Sequence, residues 1–360
     1  MEGEFGIGRF GGSMPVESVQ ALTARLDKEI PERYIRPEME EEVVSYINGD
    51  GDDEIPVIDF NKLVNPEFSS KEACKLHLAC ADWGFFQLIN HGISEDTIEK
   101  MKVDITEFFK LPLEEKKKVA QPPGEIEGYG QAFVNSEDQK LDWADTLFLT
   151  SLPQHLRLMM LWPTNPPSFR ETLNSYATEV KKVADQLFRA ISKNLGVNSG
   201  KVADVMEGGV QMIKFNYYPP CTNPDKVIGL SPHSDAVGLT MLLQVSEVEG
   251  LQFRRDGGWL AVKPLPGAFI VNIGDVIEIM CNGKYKSVEH RAMVNIEKER
   301  LSIAAFHTVN FGDIVGPIPE MLEEGDHVRY KSLEFQEYMK QFYKSRLEGK
   351  SLLDRMKVNV

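Results

Sequence analysis

The sequence predicts an α+β protein with a helix-rich N-terminal half, a β-rich C-terminal half and a closing helix. Three observations predict it. Up to about residue 208, apolar residues recur at the three-to-four spacing of amphipathic helices. Beyond that point, short apolar runs alternate with Asp-Gly and Asn-Gly turn signals, the pattern of hairpins closing a sandwich or barrel. Near 332–348, Phe335, Tyr338, Met339 and Phe342 fall on one helical face.

The elements follow in order. A first helix is expected near 15–29, then an exposed linker in the acidic, turn-rich stretch 40–54. IPVIDF (55–60) reads as a short buried strand. In 70–83, Ala73, Leu76, Cys80 and Trp83 recur at helical spacing, and the aromatic, branched GFFQLIN (84–90) reads as a strand. Ser94 is expected to cap a second helix carrying Ile98, Met101, Ile105 and Phe108, with Pro112 past its end. A third and longest helix starts after Ser168. It carries Phe169, Leu173, Tyr176, Val180, Val183, Leu187, Ile191 and Leu195 on one face, and Gly196 stops it. In the β half, QMIKFNYYPP, VIGLSPHSD, GLTMLLQV, GLQFRRDGGWLAV, GAFIVNIGD, VIEIMCNGKY, HRAMVNI and RLSIAAFHTV all read as strands. The expected units are an N-terminal helix and linker (1–54), a helical unit (55–205), a β unit (206–312) and a C-terminal helical extension (313–360).

Composition narrows the function. A formal charge of −15 and a pI near 5.1 repel phosphates, so nucleic acid and anionic membrane are poor partners. A local basic pocket for one small anion remains compatible with that balance. The four cysteines form no C-x-x-C pair, as expected of reduced thiols inside a cell. The opening MEGEFGIGRFGG lacks a basic n-region and an apolar h-region, and no apolar run approaches membrane-spanning length. The expectation is a cytoplasmic monomer, with the nucleus also open to it, acting on a small molecule.

Two clusters carry chemistry. His233-Ser-Asp235 lies in strand-like sequence, where residues two apart project to the same side and bite one metal together. His290 stands 57 residues on, in the strand-like SVEHRAMV, and a closed barrel can make those strands neighbours. Two histidines and a carboxylate leave three octahedral positions open, the ligand set of non-haem Fe(II) oxygenases. A structural zinc would fill all four of its positions, preferably with cysteine. Taken alone, H-x-D is also compatible with a chance tripeptide. Ten residues after His290, Arg300 and Ser302 share one face of an apolar strand. An inward arginine is costly unless a carboxylate pairs with it, and a small dicarboxylate would do so. The alternative is an outward Arg300 paired with Glu297 or Glu299. Asn216 and Tyr218, in NYYPP, would face one side together, or serve as a turn asparagine and a core tyrosine.

Together these residues resemble the plant soluble 2-oxoglutarate/Fe(II)-dependent dioxygenase family, of isopenicillin N synthase-like fold. The pattern is His233-x-Asp235, His290, then Arg300-x-Ser302. WGFFQLINHGI (83–93), IEGYGQAFV (126–134), LDWAD (141–145), NYYPPC (216–221), PHSDAVGLTMLLQ (232–244), FIVNIGD (269–275), NGKYKSVEHRAMVN (282–295) and ERLSIAAFH (299–307) look like the same family. The likeness runs from about residue 15 to the C-terminus, and is nearest to senescence-related oxygenases and alkaloid O-demethylases. It implies a double-stranded β-helix, or jelly roll, with the metal at its mouth. It implies Fe(II) on His233, Asp235 and His290, and 2-oxoglutarate on Arg300, Ser302, Tyr218 and Asn216. O2 would be the other cosubstrate, with ascorbate the reductant in vitro.

The activity implied is hydroxylation of a small, aromatic plant metabolite or hormone, or O-demethylation by the same reaction, with release of succinate and CO2. Tyr129, Phe133 and Phe306 are expected to line the substrate pocket, against the alternative of plain core packing. No separate acid or base residue is expected. Two rivals stand beside this reading: an iron oxidase of the same fold that uses no 2-oxoglutarate, and a non-catalytic β-barrel binding protein.

Overall fold

The computed structural model describes residues 13–25, 29–41, 44–46, 54–131, 133–196, 201–322, 325–345 and 349–358. The helices used below are α1 (Val19–Thr23), α2 (Ser69–Leu78), α3 (Glu95–Lys110), α4 (Phe169–Asn194), α5 (Asp275–Met280) and α6 (Phe335–Lys344). The N-terminal strands are β1 (Val44–Tyr46), β2 (Val57–Asp59), β3 (Phe85–Ile89), β4 (Gly128–Gly130) and β5 (Asp145–Leu152). The C-terminal strands are β6 (Val210–Tyr218), β7 (Leu230–His233), β8 (Leu239–Gln244), β9 (Leu251–Arg255), β10 (Gly258–Ala261), β11 (Phe269–Ile273), β12 (His290–Ala292) and β13 (Arg300–Thr308).

Two sheets form the core. The larger runs β2-β3-β11-β8-β13-β6-β5-β4 and the smaller β1-β10-β9-β12-β7. Their inner faces meet where Phe85 stacks on Phe253 at 5.1 Å. This is the jelly roll, and its backbone is β6 against β13, paired from Arg300↔Tyr218 to Thr308↔Val210. The N-terminal half is not a separate helical body, because β2, β3, β4 and β5 extend the larger sheet on both sides.

The helices cover the outside of that sheet. In α4, Phe169, Leu173, Tyr176, Val180, Val183, Leu187 and Ile191 are buried, as their spacing predicts. Phe169 packs on Phe215 of β6 at 5.8 Å and on Phe108 of α3 at 6.0 Å. Gly196 ends the helix at φ +75°, and its N–H donates to Lys193 O at 3.1 Å.

Several expectations change. Ser94 sits at the N-cap of α3, yet its side chain makes no capping bond. Glu179 of α4 instead anchors the start of α3 from outside, accepting from Ser94 N at 2.9 Å and Thr97 Oγ1 at 2.8 Å. The first helix begins at Val19, later than expected, where Asp145 of β5 holds its start by accepting from Val19 N and Gln20 N. Most of the expected linker and residues 26–28 of the expected helix lie outside the described residues, although β1 within that stretch pairs with β10. VIEIMC, expected as a strand, is the helix α5. All six of its residues are buried, the acids Asp275 and Glu278 included, so no stripe of apolar against exposed polar residues marks it as a helix. A further short helix, Ser351–Met356, follows α6. All four cysteines are free thiols. Among the described residues, no helix is long and apolar enough to cross a membrane.

Gly274 lets α5 start directly beneath the loop that carries Asp235. A Cβ there would lie 2.1 Å from Val237 O and 2.9 Å from Asp235 O. Gly274→Ala is expected to destabilise the fold by about 1–3 kcal/mol through overpacking. The midpoint of denaturant unfolding measures it, and an unchanged midpoint would show that the loop moves aside freely.

Candidate metal centre and anion pocket

β12 lies between β7 and β9, and its register sets His290 directly opposite His233. Both imidazoles project into the barrel, with ring centroids 4.3 Å apart. β7 ends at His233, and two residues later Asp235 returns its carboxylate to the same spot. Its Oδ1 is 3.5 Å from His233 Nε2 and 3.7 Å from His290 Nε2. Among the described residues, these three form the cluster of His, Cys, Asp and Glu that can share one metal.

The surroundings orient each donor. His233 Nδ1 lies 2.8 Å from Ser231 O and His290 Nδ1 3.0 Å from Val288 O. Each carbonyl needs a proton on Nδ1, which leaves the Nε2 lone pair free. Asp235 Oδ2 accepts from Thr240 Oγ1 at 2.6 Å and Asn272 Nδ2 at 2.7 Å, so Oδ1 is the oxygen left over. Burial pushes the His290 imidazole down to about 4, so it is neutral and ready to ligate at neutral pH. Burial also opposes charge on Asp235, but the two histidines and Asn272 outweigh it and hold the carboxyl well below its usual range. Thus the donor set is two imidazoles and one carboxylate, the set that suits a ferrous ion with open positions.

A polar pocket adjoins it. Arg300 begins β13 and is 1% exposed, which removes the outward alternative paired with Glu297 or Glu299. Its guanidinium lies over the Tyr218 ring at 5.1 Å, and its Nη2 donates to Gln244 Oε1 at 3.0 Å. Its buried Nε has no partner, and no carboxylate lies within ion-pair distance among the described residues. Ser302 pairs with Asn216 across β13 and β6, where Asn216 Nδ2 is 3.4 Å from Ser302 Oγ and Asn216 Oδ1 has no partner. Gly250 makes room for this arginine, since a Cβ there would meet Arg300 Cδ at 2.9 Å. Arg300, Ser302, Tyr218 and Asn216 line one cavity together with His233, Asp235 and His290. A buried guanidinium with an orphaned Nε donor and no carboxylate of its own fits a small dianion.

A second, mostly apolar cavity opens on two of the same donors, His233 and Asp235. Phe133 and Phe306 line it. Phe133 sits at φ +68°, a strained conformation for a bulky residue, held by stacking on Tyr343 at 5.0 Å and an edge contact to Phe342 at 5.1 Å. Tyr129 is elsewhere. Its hydroxyl is tied to Ser18 Oγ and Asp145 Oδ2, both at 3.1 Å, and its ring packs on Phe108 and Phe109. The pull of that buried carboxylate turns Tyr129 towards α1 and away from the metal. Sequence reasoning missed Met212 and Lys214 on β6, Phe148 on β5, and Met339, Phe342 and Tyr343 on α6 as cavity walls. Strand alternation offered a signal for two of them, since Met212 and Lys214 share a face with Asn216 and Tyr218.

A jelly roll with two histidines and a carboxylate at its mouth is the architecture of a non-haem iron oxygenase. The chain belongs to the 2OG-Fe(II) oxygenase superfamily, whose family model matches residues 194–309. Residues 55–165 match the N-terminal family described as non-haem dioxygenase in morphine synthesis. The chain is 50% identical over 352 residues to S-norcoclaurine synthase 1 of Coptis japonica, covering 97% of this chain and 98% of that protein. It is 44% identical over 358 residues to codeine O-demethylase of Papaver somniferum, covering 97% and 98%. The crystal structure of JOX2 in complex with 2OG, Fe and JA superposes with a TM-score of 0.87, at 35% identity over 96% of this chain and 99% of that one. The protein is therefore a 2-oxoglutarate- and Fe(II)-dependent oxygenase, as the resemblance implies.

Asn272 and Thr240 decide which Asp235 oxygen faces the metal. Asn272→Ala is expected to weaken metal affinity about 10- to 100-fold while the circular dichroism spectrum stays unchanged. A metal titration of the folded variant measures it. Wild-type affinity would show that Thr240 alone orients the carboxylate.

Proposed function

We propose that His233, Asp235 and His290 hold the iron, and that Arg300, Ser302, Tyr218 and Asn216 hold the distal carboxylate of 2-oxoglutarate. One observation carries this reading: a buried arginine with no carboxylate of its own shares a cavity with a three-donor metal cluster. When bound, the iron supplies activation of O2 coupled to decarboxylation of 2-oxoglutarate, giving succinate, CO2 and an oxygenated C–H bond.

The chain's own residues bind, orient and exclude water. The Ser231 and Val288 carbonyls fix both imidazole tautomers. Arg300 sets the direction of the cosubstrate by pairing with one end of it. Phe133, Phe306, Met339 and Phe342 give the organic substrate an apolar wall and keep bulk water from the reacting carbon. The substrate in this reading is a small, aromatic plant specialised metabolite or hormone. If the attacked carbon is an O-methyl group, the product is a hemiacetal that loses formaldehyde, so O-demethylation is the same reaction on another substrate. The protein works as a cytoplasmic monomer in this reading, with neither nucleic acid nor membrane as partner, and the units 55–205 and 206–312 meet around the metal.

Purified protein given Fe(II), ascorbate, 2-oxoglutarate and a panel of methoxylated alkaloids, flavonoids and indoles is expected to form succinate together with an oxygenated or demethylated product. Turnover of a true substrate without succinate would favour the iron oxidase that needs no 2-oxoglutarate. His233→Ala and Asp235→Ala are each expected to abolish iron retention and turnover without unfolding the chain. Arg300→Ala is expected to raise the 2-oxoglutarate requirement far more than tenfold, since removing one partner of a buried charge pair costs about 2–5 kcal/mol. An unchanged requirement would place the cosubstrate elsewhere.

A further inference from the structure

Arg300 is held from behind by a neutral group. Its Nη2 donates to Gln244 Oε1 at 3.0 Å. Gln244 ends β8 and stands directly opposite Ser302 across the pairing of β8 with β13. Thr240 and Leu242, on the same face of β8, line the polar pocket. The Gln244 amide can point only one way. Its Nε2 donates to Val248 O, and a guanidinium accepts nothing, so the amide oxygen must face Arg300. The loop that follows is tied to β13. Val245 N and Ser246 N donate to Leu301 O at 3.0 and 3.4 Å, and Leu301 N donates to Ser246 Oγ at 3.0 Å. Residues 244–250 read Gln-Val-Ser-Glu-Val-Glu-Gly. In that register both acids, Glu247 and Glu249, are exposed while Val248 between them is buried.

An amide and an acid of the same shape would act differently here. A carboxylate in this place would pair with the guanidinium and neutralise it inside the protein, and a dianionic ligand would then gain little from it. The amide supplies one hydrogen bond, sets the direction of the planar fork and leaves the positive charge for a ligand. Burial lowers the Arg300 pKa from the usual arginine value, and Tyr218 rather than a carboxylate counters it. The buried Nε stays without a partner. Gly250 closes the same loop against the arginine stem, where a Cβ would lie 3.2 Å from Arg300 Nε. We propose that Gln244 is a positioning residue that aims Arg300 at the distal end of the cosubstrate and keeps its charge free, and so commits the pocket to a 2-oxo diacid over a 2-oxo monoacid. The register of the loop serves the same end by turning Glu247 and Glu249 to solvent. This inference rests on the cosubstrate assignment above.

The test uses the full chain loaded anaerobically with Fe(II), so that no turnover occurs. Calorimetric titration compares 2-oxoglutarate with 2-oxovalerate, which has the same five-carbon chain and no distal carboxylate. Wild type is expected to favour the diacid about 30-fold or more, as one buried charge pair allows. Gln244→Glu is expected to bring that preference to within about threefold, because the arginine then has a carboxylate of its own. Gln244→Met, which removes the anchor and adds no charge, is expected to weaken 2-oxoglutarate about tenfold. Both variants should bind Fe(II) and 2-oxovalerate within about threefold of wild type, a separation that general damage to the fold would not give. Wild-type affinity for 2-oxoglutarate in either variant overturns the proposal. Equal weakening of the two oxo acids also overturns it, since the glutamine then supports the whole pocket rather than the arginine. If Gln244→Glu does not fold, the Gln244→Met comparison decides by the same criteria. A wild-type protein that binds the two oxo acids equally, or neither, would instead sink the assignment of Arg300 to the cosubstrate, and this inference with it.

Discussion

The pairing of His290 with His233 across β12 and β7 is the contact on which the rest of the site is built. Antiparallel strands bring directly opposite side chains within about 5 Å of one another, so one register choice places two imidazoles at one point. A slip of one residue would turn His290 to the other face of the sheet and leave Asp235 with a single partner. The neighbours hold that register. β9 pairs on the far side of β12, and Gly349 N–H donates to Pro232 O next to His233. The three donors are each less than 10% exposed, so none is fully hydrated. Their cost is met locally by two carbonyls, Thr240 and Asn272, and those same bonds choose the atoms presented to the metal.

From that point the barrel sorts chemistry along a single strand. β6 and β13 carry the polar pocket at one end and an apolar wall at the other, because alternate residues of both face inward. The cosubstrate and substrate regions are thus continuous, and His233 and Asp235 line both. The N-terminal half completes the site. Phe148 of β5 and Phe133 wall the cavity, and Arg36 with Asp142 clamps Ser231, whose carbonyl orients His233. α6 covers the opening with Met339, Phe342 and Tyr343, and Asn135 Nδ2 reaches the carbonyls at its C-terminal end. An oxygenase that attacks unactivated carbon needs such enclosure, and here it comes from segments at both ends of the chain.

Much of this was legible in order along the chain. α4 was read from its stripe of seven buried residues, and β6, β8, β11 and β13 from their apolar runs. The errors share a cause. VIEIMC is buried on all sides, so its period carried no information. Ser94 holds the N-cap position without a capping bond, and Glu179 from another helix ties its backbone N–H and the Thr97 hydroxyl. Tyr129 looked like a wall residue by its place in a turn-rich segment, and Asp145 drew its hydroxyl the other way. Lys214 was visible as a residue on the face of Asn216, yet its place between two cavities is a property of what surrounds it.

The sequence by itself determined the donor types and their local geometry. H-x-D puts two donors on one side of a strand, R-x-S puts a cation and a hydroxyl on one face, and family likeness tied both to iron and 2-oxoglutarate. Periodicity and turn chemistry act within a few residues, so they survive being read without a fold. The tertiary structure decided what depends on residues distant in sequence. It set His290 against His233, left Arg300 without a carboxylate, turned Tyr129 away, and brought Lys214 to the border of two cavities. Partnership and burial are properties of a three-dimensional neighbourhood, and strand register and helix packing create that neighbourhood.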